Sequence, residues 1–105
     1  MAEIMTDSHQ FTVTVIQHAN LEITNTNIPT NVESGTPFNI EYEVTNNGAT
    51  DNCYGHIFNA TTETIVPGSE WTESIDAGAV VQKSFEISGG ITEQLDGIVV
   101  VGYVN

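Results

Sequence analysis

Cations are almost missing from this chain. Arginine is absent, and one lysine, Lys83, stands against 14 carboxylates, giving a net charge of −13 over 105 residues. Nucleic-acid binding rests on Lys and Arg neutralising phosphates, so that class is excluded first. An anionic membrane surface is repelled for the same reason, and no guanidinium exists to clamp a phosphate or carboxylate substrate. Cysteine occurs once, at Cys53, so an intrachain disulfide is impossible and packing alone must hold the fold. With no cation nearby to lower its pKa, Cys53 reads as a small buried hydrophobe and not as a nucleophile. No run approaches the roughly 18 apolar residues of a membrane span. Met1–Gln10 lacks the basic and apolar regions of a signal peptide. Charged residues make up only 14% of the chain, so the surface must be largely Thr, Asn, Ser and Gln with scattered carboxylates.

What is present is alternation. Phe38, Ile40, Tyr42 and Val44 alternate with Asn39, Glu41, Glu43 and Thr45, which puts four apolar side chains on one face of a strand. Pro37 opens this strand, where its missing N–H costs least. Asn46-Asn47-Gly48 closes it with residues that tolerate positive φ. Further strands are predicted over Phe11–Ile16, Leu21–Thr24, Cys53–Ala60 (with Gly55 as a bulge), Glu63–Val66, Trp71–Ile75 and Val81–Ile87. Pro67-Gly68, Asp76–Ala79 and Ser88–Gly90 read as turns. Ile91–Leu95 is ambiguous between a strand and one helical turn. Ile98–Val104 is nearly all apolar and suits a central strand buried on both faces. Lys83 falls on the apolar phase of its strand, which suits a stem that snorkels. Hydrophobic residues at 39% supply one core. Seven to nine short strands with regular turns and no sustained helical period predict a single all-β, immunoglobulin-like antiparallel β-sandwich over residues 19–105. Residues 1–18 precede it as an arm with an added strand.

From Ala19 to Val104 the layout resembles the CARDB family of immunoglobulin-like modules. The signature residues are Val32, Gly35, Pro37, Ile40, Tyr42, Val44, Asn46 and Gly48. A turn at Ile75, Ala77 and Gly78 precedes the alternating Val81–Ile87, and Gly97–Val104 closes the pattern. The resemblance implies the sandwich fold and little chemistry. Such modules usually lie inside long secreted chains and are similar to those of surface adhesins, while related sandwiches occur as viral and phage decoration proteins. A small acidic sandwich with an N-terminal arm fits the second context better.

No residue set names a reaction. Cys53 and His56 are three apart, so on a strand they face opposite sides unless Gly55 bulges. Glu41 and Glu43 share one face, a spacing that suits calcium or a glycosidase pair, but alternation already puts both in solvent. Glu70, Glu73 and Asp76 form a weak calcium candidate. No G-x-S-x-G and no phosphate loop occurs. Asn59-Ala60-Thr61 matches a glycosylation sequon that chance easily supplies. Trp71 is either core, an interface anchor or a sugar platform. The arm is the strongest candidate. Phe11, Val13 and Val15 make one face, and the strand either completes its own sheet or pairs with a neighbour's exposed edge.

The expectation is therefore a non-catalytic structural or binding protein with no cofactor, most simply a capsid decoration protein or similar component. It would sit on a virion or another extracellular surface assembly and act through protein partners, self-assembly or a capsid lattice, with a homo-oligomer allowed. Interaction residues would be Phe11, Val13, Val15 and Trp71. The alternative is an adhesion or carbohydrate/protein-binding module of a larger secreted protein. A calcium-dependent spacer is a third class.

Overall fold

The alternation over Phe38–Asn46 becomes a nine-residue strand whose inward members Ile40, Tyr42, Val44 and Asn46 are buried. The computed structural model describes residues 2–104 and contains seven strands and no helix. They are β1 (Leu21–Asn27), β2 (Phe38–Asn46), β3 (Asp51–Asn59), β4 (Thr64–Ile65), β5 (Trp71–Ile75), β6 (Val80–Ile87) and β7 (Gly97–Tyr103). One sheet runs β1-β2-β6 and the other is built on β3, which pairs with β4, β5 and β7. Every pairing is antiparallel. The period-two residues of both sheets meet in a core of Tyr42, Val44, Cys53 and Ile75, with Phe85, Val99, Val101 and Trp71 packed around it.

Several local expectations change on contact with the structure. Asn46-Asn47-Gly48 does not use positive φ. Gly48 is there for space, because a Cβ would lie 2.5 Å from the His18 carbonyl oxygen. Gly55 is not a bulge: the ladders to β5 and β7 run through it without a shift. It is a glycine because the Trp71 indole lies across it. The irregularity falls in β1 instead, between Thr24 and Asn27, where Asn25 takes φ 46°. Pro67-Gly68 does make its turn, with φ +81° at Gly68 and Ser69 N–H bonded to the Val66 carbonyl, as Pro then Gly at the two central positions favours. Ile91–Leu95 forms neither strand nor helix.

Ser69 repairs a gap in the ladder. β4 and β5 lie end to end beside β3, and between them Ile57 has no strand partner for its N–H. The buried Ser69 hydroxyl accepts that N–H at 3.0 Å and donates to the Val66 carbonyl at 2.6 Å. Ile57 returns its own carbonyl to Val66 N–H. A hydroxyl thus stands in for backbone, as buried polar groups require.

Asn46 is the polar centre of one end. It is fully buried, and its amide is saturated. Nδ2 donates to the carbonyls of Ala49 (2.9 Å) and Ile75 (3.0 Å), and Oδ1 accepts from the N–H groups of Gly48 (2.9 Å) and Asn20 (3.2 Å). One side chain therefore ties the start of β1, the β2–β3 turn and the end of β5 together.

Candidate binding surface

The strand predicted over Phe11–Ile16 is not formed within the single chain. Residues 2–17 belong to no element and are exposed. Phe11, Val13, Val15 and Ile16 are each between 75% and 79% exposed. An isolated strand has no partner for its backbone groups, so sequence propensity alone cannot order it. The molecule spans 86 Å along its long axis against 26 and 22 Å across, and this arm accounts for the elongation.

The arm is rooted firmly. His18 stacks on Tyr103 at a ring separation of 4.4 Å, and its Nδ1 lies 3.1 Å from Asp51 Oδ2. Ala49 N–H bonds to the His18 carbonyl and Asn47 N–H to that of Asn20, while Ala19 is buried. His18 and Ala19 are thus fixed parts of the sandwich, and the free arm ends at Gln17. The His18 ring, with the N–H groups of Ala19 and Asn52 assisting, holds the Asp51 carboxyl below the usual carboxylate range.

The two outer faces differ in kind. Outward positions of β1-β2-β6 carry Glu22, Glu41, Glu43 and Glu86. Amides answer them in place of cations: Asn25 donates to Glu43 at 2.7 Å, Asn47 to Glu22 at 3.1 Å and Asn27 to Glu41 at 3.4 Å. The Glu41/Glu43 pair is thereby a hydrated, amide-bonded face. The outer face of the other sheet carries no carboxylate. Tyr54, His56 and Phe58 of β3 stand beside Gly102, Val100 and Ile98 of β7, with Ile65 next to Phe58. Ile98 is 51% exposed.

β7 is an edge strand, not the central one its composition suggested. Val99 and Val101 point into the core, whereas Ile98 and Val100 point out, and its only strand partner among the described residues is β3. A continuous apolar run therefore reflects one buried face and one apolar surface face.

Other sequence candidates resolve differently. Trp71 lies between the sheets, its Nε1 donating to the Tyr42 hydroxyl at 2.8 Å, with the Lys83 ammonium 4.3 Å above its ring. That makes it core-facing and half-buried. Burial pushes the Tyr42 phenol up, the Trp71 bond opposing. Lys83 does snorkel, but from mid-strand, to Glu73 of the opposite sheet. Glu70, Glu73 and Asp76 do not converge. Glu70 and Asp76 flank opposite ends of β5, and Glu73 is taken by Lys83. No group of three metal-ligating side chains occurs among the described residues. Cys53 and His56 face opposite sides of β3, and burial, then the Asp51 charge, push the Cys53 thiol up.

At the end of the sandwich opposite the arm root, a cleft of 470 Å³ opens between the sheets, lined by Ile28, Val32, Phe38, Ile57, Leu95 and Val99 among others. Sequence reading did not find it, because it is assembled from two loops distant in the chain. Those loops are joined by Gly35 N–H bonding to the Ile91 carbonyl.

Fold and surface together define an all-β, two-sheet antiparallel protein with a projecting N-terminal arm. Compared with known proteins, the chain matches no family, no curated protein and no solved structure.

Proposed function

We propose that this chain is a non-catalytic structural protein that acts by attachment, as a component of a virion or other extracellular surface assembly in the manner of a capsid decoration protein. The observation that carries the reading is the arm: a β-type segment with four large apolar side chains in water and no partner in its own sheets. Soluble chains seldom leave such segments uncovered. The carboxylate-free face of β3 and β7 supports it as a second uncovered surface. We read the sandwich as immunoglobulin-like and CARDB-like, on the residues from Val32 to Gly48 and on a sheet pairing in which β1-β2-β6 opposes β3-β7. That part is fold-level analogy.

Removing residues 1–16, and sparing the bound His18, abolishes self-association or attachment while the melting transition stays put. Light-scattering mass and thermal melts of both chains check this. A shortened chain that still assembles would sink the reading.

The end cleft favours a second reading, an adhesion or binding module that takes an apolar group through its end loops. Its volume lies in the range of small-ligand sites, but nothing charged except Glu93 lines it.

A further inference from the structure

We propose that the bare edge of β7 receives Phe11–Ile16 of a second copy of this chain as an added strand. This rests on the arm-mediated attachment argued above and names its partner and its seat.

The acceptor is visible in the packing. β7 holds β3 in an unbroken register from Asn59↔Gly97 to Cys53↔Tyr103, and no strand among the described residues is hydrogen-bonded to its other side, where β1 of the facing sheet comes near without pairing. Tyr42, Val44 and Cys53 in the middle of the sandwich are fully buried, yet Leu21, Ile23, Val99 and Val101 at the β1/β7 side are only half-buried. The core is open along that side. Edge strands ordinarily carry a charge, a proline or a bulge that blocks pairing. Gly97–Val104 has none of these.

The donor matches. Phe11–Ile16 is six residues of alternating β-formers against the seven of β7. Laid along the edge, the Phe11, Val13 and Val15 face would continue the half-open apolar layer between the sheets. No carboxylate occurs from Phe11 to Leu21 or from Gly97 to Val104, so this contact avoids the charge that separates the rest of the two molecules. Backbone bonds supply affinity and alternate side chains the fit, as in strand addition generally.

A second copy fits better than the chain's own arm. The arm leaves at His18, stacked on Tyr103 at the C-terminal end of β7. Folded back along its own β7 it would run parallel. A second molecule's arm can run antiparallel, like every other pairing in the fold, and antiparallel pairs are the commoner and slightly stronger kind. Each copy gives one arm and accepts one, so two copies can exchange arms as a closed pair, or the contact can run head to tail into a ring or chain.

The test compares the full chain with its Thr14→Pro variant. Proline removes a backbone donor from the middle of the arm and touches nothing in the sandwich. Light scattering gives mass, and hydrogen exchange reads the Ile98–Tyr103 amides. We expect the full chain to form multiples of 11.3 kDa that dissociate on dilution, with β7 amides exchanging more slowly than in Thr14→Pro. Adding a synthetic Gln10–His18 peptide to Thr14→Pro should restore that protection. An assembled full chain whose β7 exchanges no more slowly than the variant's overturns strand addition but leaves arm-mediated assembly standing. A monomer with protected β7 shows the arm filling its own edge and overturns the proposal. A monomer with unprotected β7 that ignores the peptide overturns the proposal and, with it, arm-mediated self-association, whereas attachment to another particle is read by the truncation of residues 1–16.

Discussion

Asn46 shows what a single residue can hide. Its sequence context, before Asn47-Gly48, suggests a turn former, and that is a local property. Its role is not local: the partners of its amide come from Asn20, Ala49 and Ile75, which no short-range pattern brings together. The amide is complementary at both ends, donor facing carbonyls and acceptor facing N–H groups. Asn46→Asp keeps the shape and puts a buried carboxylate oxygen against two carbonyls. The loss should be on the order of 3 kcal/mol or more, the scale for an unpaired buried charge, against about 1–3 kcal/mol for unsatisfied neutral groups in Asn46→Ala. Urea unfolding would read this as a lower midpoint at unchanged slope. Equal midpoints for Asp and Ala would mean the amide's polarity is not what matters there. Trp71 makes the same point from the other side. A tryptophan beside a turn has no legible address until Gly55 and Tyr42 are found next to it.

At the scale of elements, strands were legible wherever alternation was clean, because β2 and β6 each present one face to the core and one to water. Two elements were not. β7 reads as central because a run of apolar residues reports burial and not which neighbours a strand has. The arm reads as a strand because propensity cannot tell whether a partner exists. The junction between arm and sandwich is a device of its own, made of His18, Asp51 and Tyr103. Asp51 is held below the ordinary carboxylate range by His18 first and backbone N–H groups after. The unfolded chain therefore takes up this proton at a higher pH than the folded one. The stabilisation is complete above the unfolded value, roughly 3.9, and is lost as pH falls through it toward the folded value. Asp96, held down by Gln94 and Thr61, adds in the same sense. Between about pH 5 and 3, Asp51→Asn should thus lose stability less steeply than the native chain in urea midpoints. Parallel slopes would show that the His18–Asp51 contact does not persist in solution.

Over the whole molecule, charge decides when copies can meet. Fourteen carboxylates against one lysine were legible from composition. Their segregation was not, since it needs the knowledge that Glu22, Glu41, Glu43 and Glu86 share one sheet face while β7 and the Phe11–Gln17 part of the arm carry none. Two copies approaching arm to edge bring apolar, uncharged backbone together, but each also brings a net −13. The short-range contact is indifferent to salt, whereas the long-range repulsion is screened within a Debye length of about 10 Å at 0.1 M and about 3 Å at 1 M. Association should therefore strengthen as sodium chloride rises from 10 mM to 1 M, seen as a growing light-scattering mass at fixed protein concentration. Thr14→Pro should remain a monomer throughout, which separates strand pairing from simple salting-out. Ion-paired association would behave in the opposite way and dissolve with salt. A mass that falls as salt rises would therefore mean that charge attraction through Lys83 or the histidines joins the copies, and that neither the arm nor the β7 edge does.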